Sequence, residues 1–356
     1  MRKPINVLIT GAAGFIGSAL THYLAYLGGC YKITAVDNVS FSDPSSTAQL
    51  AKLRAKTYLA PASGNVTYDT CDITIPEDVE RVFSYANFDV VVHLAAKAGI
   101  RESLTDPYAY ATTNLVGFTN VIEAARKAKV RQFIYASSSS VYGADSTLPF
   151  SESEPANSPM SFYAATKRAN EMMAYSYSSA HNLHTIGLRF FTVYGMFSRL
   201  DMAPFKFADA IINERPIDVY NYGKNTRDFT HISEVIRYIE SSFYEIPDDD
   251  TIPAIIKNVG NGQPYSVLEF IGDIEQAVGK KAITTLMPPQ VGDMEHTAAC
   301  QNGLNDRQRH VFASNGLSPE AYVSWRRVQI QQMVNWVKLY QSYNKPLTPA
   351  VNLLLQ

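Results

Sequence analysis

Tyr163 and Lys167 stand four positions apart in Tyr163-Ala-Ala-Thr-Lys167. In a helix that spacing puts both side chains on one face, a turn apart. An ammonium beside a phenol favours the phenolate, so it should draw the tyrosine pKa down from its ordinary value of about 10. A phenol tuned in this way is a candidate acid/base for the proton of an alcohol. A surface helix can carry the same spacing without any chemistry, so a second signal is needed. It lies upstream, where an apolar run ends in Ala136-Ser137-Ser138-Ser139-Ser140-Val141-Tyr142-Gly143. Ligands of a doubly wound sheet bind at its strand ends, which is where these hydroxyls fall.

A third cluster opens the chain. The apolar run Ile5–Thr10 enters Gly11-Ala-Ala-Gly14-Phe15-Ile16-Gly17, after which a helical pattern begins. Glycines permit the tight turn and let backbone N–H groups approach a pyrophosphate, and the helix N-terminus supplies a favourable field for that anion. Asp37 closes the next apolar run, twenty positions after Gly17. A carboxylate there accepts hydrogen bonds from adenosine ribose hydroxyls and repels a 2′-phosphate, which favours NAD over NADP.

These residues need a scaffold, and the patterning supplies one. Strands are predicted at Ile5–Thr10, Ile33–Asp37, Asp89–Leu94, Gln132–Ala136 and Thr185–Phe190. Helices are predicted at Ser18–Leu27, Tyr108–Lys129 and Phe162–Ala180. Short apolar strands alternating with helices imply βαβ units and a parallel sheet covered on both faces. Beyond residue 195, proline, glycine and aromatic residues punctuate shorter elements, as in Pro216–Gly223 and Pro288–Gly292, while Ile232–Ser241 is helical again. The expected division is a dinucleotide-binding domain over 1–195 with a return near 228–245, an interleaved smaller α/β domain over 196–345 that completes a ligand cleft, and a tail over 346–356. The polar stretch Phe41–Gly64 reads as an insertion.

The chain's 356 residues, 46% of them hydrophobic, suffice for a large core and two domains. A net charge of −2 points to neither a nucleic-acid nor an anionic-membrane binder. Three scattered cysteines, Cys30, Cys71 and Cys300, suggest no disulfide framework and no metal site, so a reducing cytoplasm is expected. Neither a signal peptide nor a transmembrane run is read from the sequence.

Taken in order, the glycine loop, the serine near Val141-Tyr142-Gly143 and the Tyr163/Lys167 spacing resemble the extended short-chain dehydrogenase/reductases. That resemblance implies a Rossmann-type doubly wound sheet with a smaller C-terminal α/β substrate domain. It makes Ser138, Tyr163 and Lys167 the catalytic trio, with Ser138 hydrogen-bonding the reacting sugar oxygen and Lys167 also holding the nicotinamide ribose. The cofactor contacts it implies are Gly11, Gly14, Phe15, Ile16, Gly17, Asp37, Asn38, Asp72, Ile73, Leu94, Ala95, Ala96, Lys97, Asn114, Ser137, Tyr163, Lys167 and Phe190.

Within that class the chain is most similar to the UDP-glucuronate 4-epimerases. The stretches that carry this are HLAAKAGIRES (93–103), NLVGFTNVIEA (114–124), YASSSSVYG (135–143), YAATKRANE (163–171), GLRFFTVYG (187–195), PIDVYNYG (216–223) and RDFTHI (227–232). The likeness weakens later: Gln290-Val-Gly-Asp293 resembles a QPGD segment, but Ala299-Cys300 stands where an Ala-Asp pair is expected. Substrate contacts implied by the resemblance are Ser138, Tyr163, Thr192, Arg199, Phe205, Lys206, Tyr220, Arg227, Gln290 and Asp293, with Arg227 paired to the diphosphate. Arg101, beside Gly99-Ile100, is a further candidate for charge near a sugar carboxylate, or equally a structural salt bridge.

The implied reaction oxidises C4 of a UDP-sugar, turns the transient 4-keto sugar over in the site and reduces it from the opposite face, regenerating NAD. Related dehydratases carry an Asp-Glu pair just before the VYG tripeptide, and decarboxylases a glutamate at its second position. Here those positions are Ser139 and Ser140, which leaves simple epimerisation, and the resemblance implies UDP-glucuronate and UDP-galacturonate as its substrate and product. A UDP-glucose or UDP-N-acetylglucosamine 4-epimerase uses the same chemistry and is the alternative. A catalytically silent NAD-binding scaffold is opposed by the intact trio. Hydroxyls of Ser139, Ser140 and Thr192 are the expected grip on the uronate carboxylate. The helices Tyr108–Lys129 and Phe162–Ala180 carry apolar stripes, and the resemblance implies a homodimer built on them.

Overall fold

The computed structural model describes residues 3–39, 64–245, 253–290 and 292–343, so the 41–64 insertion (apart from Gly64) and the 346–356 tail lie outside the described residues. In chain order the elements used below are β1 (Ile5–Thr10), α1 (Phe15–Tyr26), β2 (Tyr31–Asp37), β3 (Val66–Thr70), α2 (Pro76–Phe83), β4 (Val90–His93), α3 (Ile100–Thr105), α4 (Pro107–Ala111), α5 (Phe118–Lys127), β5 (Gln132–Ser138), α6 (Phe162–His181), β6 (Thr185–Phe190), β7 (Thr192–Tyr194), α7 (Ala203–Ile212), β8 (Pro216–Val219), β9 (Thr226–His231), α8 (Ile232–Ser242), β10 (Ala254–Val259), β11 (Pro264–Ser266), α9 (Val267–Val278), β12 (Ile283–Leu286) and α10 (Pro319–Tyr343).

Seven strands form one parallel sheet in the order β10-β6-β5-β4-β1-β2-β3. Its central strands are buried on both faces, which is why β4 reads Val-Val-Val-His and β6 is buried along its whole length. The order reverses between β1 and β4, and a crevice opens there beyond the strand C-termini. The sequence places β1 and β6 at their observed limits; β3 and β10 are additions to it. Both are edge strands, and β3 has mostly exposed or half-exposed residues, so neither shows the continuous apolar run of a central strand. Through β10 the chain re-enters the sheet beyond residue 195, as it also does in α8, which packs on α1.

The helix expected at 108–129 is one continuous rod with an internal defect. Thr112–Gly117 winds as a π-helix between α4 and α5. Such bulges are rare and gather at functional sites, because they re-aim a side chain without ending the helix.

A second core lies beyond the sheet. Small sheets β11-β9-β7 and β12-β8 and helices α7, α9 and α10 surround an aromatic cluster, within which Phe229 and Phe270 stack with centroids 4.1 Å apart. The 25-residue α10 was not expected in this irregular region. It docks through Ile330, Met333, Val334 and Val337, a helical stripe that is fully buried.

Candidate active site

The glycine loop occupies the crevice where the strand order reverses. Gly11 has φ +73°, and a Cβ there would lie 2.6 Å from the Ala95 nitrogen, so only glycine lets the β1 and β4 loops meet. A Cβ on Gly17 would run into the Gly11 carbonyl oxygen. α1 starts at Phe15, three residues earlier than its apolar periodicity suggests, with Gly14 as its N-cap. Among the described residues no side chain caps its first turn, and no acidic residue lies in it, so its N–H groups are directed at whatever anion enters the crevice. Asp37 ends β2 and accepts from the Ala13 nitrogen at 3.0 Å, which ties the acid to the loop it serves. Asn38 beside it is exposed. This cradle fits a dinucleotide: a backbone nest for the diphosphate with a carboxylate one strand away.

Other expected cofactor residues divide by what their side chains already do. Leu94, Ala95 and Ala96 line the loop after β4, and the Ala95 nitrogen is within 3.3 Å of the Thr10 hydroxyl. Asn114 sits in the π-helix. Its amide accepts from the Lys97 nitrogen at 2.8 Å and donates to the Lys97 carbonyl at 2.9 Å and the Thr166 hydroxyl at 3.0 Å, stapling that loop to α6. The Asp72 carboxylate accepts from both the nitrogen and the hydroxyl of Thr74, shaping the turn into α2. Phe15, Ile73 and Phe190 belong to the buried cores, with Ile16 packed against the first of them. Ser137 points away from the crevice, its hydroxyl donating to Glu171 at 2.6 Å. Strand alternation requires this, since Ser138 must face the site.

Of the expected catalytic trio, Ser138 and Tyr163 meet, and Lys167 lies one turn further along the helix that carries Tyr163. Ser161 caps α6, its hydroxyl accepting from the Ala164 nitrogen at 3.1 Å, and the first turns of that helix carry Tyr163 and Lys167. The buried Lys167 ammonium donates to the Ala136 carbonyl at 2.9 Å, and burial pulls its pKa down to about 8. The expected lowering of the Tyr163 pKa is not what the structure shows. Burial pushes the phenol up; the Ser138 hydroxyl and the Arg199 guanidinium pull the other way but do not overcome it. Desolvation penalises the phenolate more than these neighbours favour it, and the lysine is itself weakened as a cation by burial. Tyr163 is therefore a protonated phenol at rest. Ser138 accepts from the Ser140 nitrogen at 3.1 Å, which rolls Ser139–Val141 into a 3₁₀ turn with Ser139 and Ser140 half-exposed at its edge.

Several of the other residues expected to touch substrate already have partners of their own. Arg199 donates to the Ala98 carbonyl at 2.6 Å and pairs with Asp201. Arg101 lies 5.0 Å from the Tyr220 ring centroid and donates to Gln290. Arg227, largely buried, pairs with Asp293 at 2.8 Å. Thr192 begins β7 and is half-exposed, and Lys206 is exposed. Phe205 does not reach the cleft by its side chain. It is buried in the second core, edge-on to Tyr340 with centroids 5.6 Å apart.

Two residues near the trio were not anticipated. Tyr110 stands edge-on to Tyr163, centroids 6.3 Å apart, with its hydroxyl buried and unpaired among the described residues. Glu171, one helical turn beyond Lys167, is buried against Arg189. A carboxylate continuing the Tyr163–Lys167 stripe at the same spacing was the available signal for the second; none marked Tyr110. Among the described residues no group of side chains could hold a metal ion, and no helix is long and apolar enough to cross a membrane.

A doubly wound sheet with a dinucleotide cradle at its switch point and a serine–tyrosine–lysine trio beside it defines the extended short-chain dehydrogenase/reductase class. The chain belongs to the NAD dependent epimerase/dehydratase family, which it matches over residues 7–242. Its cofactor is accordingly NAD. It is 40% identical to the protein CapI of Staphylococcus aureus, over 83% of this chain and 90% of that one. It is 38% identical to a probable UDP-glucuronate 4-epimerase of Rhizobium meliloti, over 83% and 89%. Among solved structures it resembles the UDP-glucuronic acid 4-epimerase of Bacillus cereus in complex with UDP-glucuronic acid and NAD, with TM-score 0.79, 27% identity and coverage of 94% and 99%.

Proposed function

We propose that this protein is an NAD-dependent UDP-sugar 4-epimerase that interconverts UDP-glucuronate and UDP-galacturonate. The observation that carries the uronate reading is the hydroxyl-only turn Ser138–Ser140, half-exposed at Ser139 and Ser140, whose Ser138 acts on Tyr163 together with the Arg199 guanidinium. It offers donors and no competing carboxylate, which suits an anionic sugar. Relatives named as UDP-glucuronate 4-epimerases support the same choice.

When bound, NAD supplies the reversible hydride acceptor for C4. Tyr163 acts as a base only after its own proton has passed to solvent; the phenolate, favoured by the Ser138 hydroxyl and the Lys167 ammonium, then takes the C4 hydroxyl proton as the hydride leaves and returns it when C4 is reduced from the other face. Ser138 donates to or accepts from the same oxygen, keeping it aimed at Tyr163. Lys167 presents its ammonium to the phenol and to the nicotinamide ribose. Ser139, Ser140 and Thr192 grip the carboxylate, so that the C5–C6 bond of the β-keto acid stays out of line with the carbonyl orbital and carbon dioxide is retained. Arg227 leaves Asp293 for the diphosphate, while Tyr220, Gln290, Lys206 and the backbone at Phe205 bound the nucleotide. In this reading residues 196–345 supply the nucleotide-sugar side of the cleft and residues 1–195 the cofactor side.

A neutral UDP-hexose is the second reading, favoured by one observation: Asp201 already balances the Arg199 charge. Proton NMR of the holoenzyme with UDP-glucuronate separates the two. A UDP-galacturonate signal that grows to a constant mixture is expected. A UDP-pentose product would refute the carboxylate grip, and turnover of UDP-glucose or UDP-N-acetylglucosamine alone would refute the substrate.

The active unit in this proposal is a homodimer. Tyr108, Val116, Met172 and Tyr175 are half or more exposed on the rod through α4 and α5 and on α6. Light scattering should give twice the chain mass; a monomer at assay concentration would exclude the dimer.

A further inference from the structure

Beneath the catalytic trio lies a charge network that the proposed reaction does not use. Glu171 occupies the third position of the stripe Tyr163, Lys167, Glu171 on α6. It accepts from Arg189 Nε and Nη2, both at 2.9 Å, from Arg168 Nη1 at 2.8 Å and from the Ser137 hydroxyl at 2.6 Å. Side-chain exposure is 1% for Glu171 and 2% for Arg189, so the pair is sealed from water. The guanidinium keeps the Glu171 carboxyl below its ordinary range and the pair stays ionised. A buried ion pair adds little net stability compared with well-packed apolar residues of the same size, because two desolvation costs offset the attraction. What it adds is geometry: each partner accepts only a narrow set of positions for the other.

The positions so held are those of the catalytic strand. Three successive residues at the end of β5 meet three turns of α6. The Ala136 carbonyl accepts from Lys167, the Ser137 hydroxyl donates to Glu171, and Ser138 faces Tyr163. On its other side Arg189, from the neighbouring strand β6, lies 4.6 Å from the Tyr142 ring centroid, and Tyr142 follows the turn that carries Ser139 and Ser140. Both arms of the network therefore end one or two residues from groups that would touch substrate.

We infer that the Glu171–Arg189 pair, acting through Ser137, is a positioning device that sets the register of the Ser138–Ser140 turn against Tyr163 and Lys167. This rests on the 4-epimerase reading of the trio but not on the identity of the sugar. A misplacement of a catalytic hydroxyl by a fraction of an ångström lowers the chemical step and leaves remote binding intact.

The test uses the holoenzyme and whichever UDP-sugar the wild type epimerises. Should the wild type epimerise none, the 4-epimerase reading fails, a result distinct from any seen in the variants. Ser137→Ala cuts the link to β5 and leaves the ion pair in place. It is expected to lower kcat by about 10-fold or more while KM stays within about twofold. Bound NAD and the melting midpoint should stay close to wild type. Ser137→Thr, which keeps the hydroxyl on a strand-compatible side chain, should recover most of the loss. Because Ser137 acts through Ser138, the double variant Ser137→Ala/Ser138→Ala should be no slower than Ser138→Ala alone. Wild-type kcat in Ser137→Ala would overturn the inference. So would a kcat loss that comes with matching losses of NAD and melting midpoint, or a fully additive double variant.

Discussion

The fold controls the charge state of Lys167 through burial. Burial brings its pKa down to about 8, whereas the Tyr163 phenol one turn back on the same helix is pushed upward. An ammonium is charged below its pKa, so in the proposed mechanism the charge that Lys167 presents to the phenol is lost as pH rises through about 8. The pH profile of kcat/KM should therefore fall on its alkaline side with a midpoint near that value. Lys167→Arg carries a cation that does not titrate in this range. That variant should be slower at neutral pH and show no such fall; an unchanged alkaline limb would assign it to another group.

The glycine loop makes its demands through whole elements. β1, the loop and α1 must pass within contact distance of the β4 loop, and the would-be Cβ of Gly17 falls on the Gly11 carbonyl oxygen. Gly17→Ala should force the turn open. Its chief effect is expected on cofactor retention, since the N–H groups at the start of α1 then no longer converge on one anion. Purified Gly17→Ala protein should carry at least about 10-fold less NAD under equal dialysis, a loss of ~1.4 kcal/mol or more in binding. Full NAD content would mean that the loop yields without consequence. The π-helix around Asn114 works at the same scale. Its extra residue per turn aims the amide at Lys97 and Thr166, and the sequence there reads as an ordinary helix.

Stability against acid is a property of the whole molecule. Burial depresses three histidines: His93 to about 3, His184 to about 4 and His231 to about 3, from an ordinary value of 6.5. The unfolded chain binds protons to them before the folded one does. Their contribution to stability is thus present above pH 6.5 and is lost as pH falls below it. Glu234, raised to about 7 by burial, acts in the opposite sense: its contribution is full below its ordinary 4.5 and is lost as pH rises through about 7. Three histidines outweigh this carboxyl, so the melting midpoint should fall between pH 6.5 and 4.5. In His93→Gln, which can still accept from Thr10, the fall should be smaller than in wild type. An equal fall would clear His93 of a part in it.

Much of the candidate site is legible in the sequence itself. The glycine spacing, Asp37, the four-serine run and the Tyr163/Lys167 pair are local signals, because a loop, a strand end and one helical face are each encoded by neighbours in the chain. Periodicity similarly located the central strands, whose burial on both faces leaves unbroken apolar runs. Edge strands β3 and β10 and the helix α10 were not legible, since their apolar residues serve one face only and depend on what packs against it. Tertiary structure alone decided that Ser137 turns from the crevice to Glu171, that Phe205 enters the aromatic core and that burial raises the Tyr163 pKa. Each of these depends on partners or enclosure supplied from elsewhere in the chain, as when Arg189 of β6 meets Glu171 of α6. Residue type and spacing set which groups could do chemistry. Desolvation and long-range pairing, which exist only once the chain is folded, set their charge and aim.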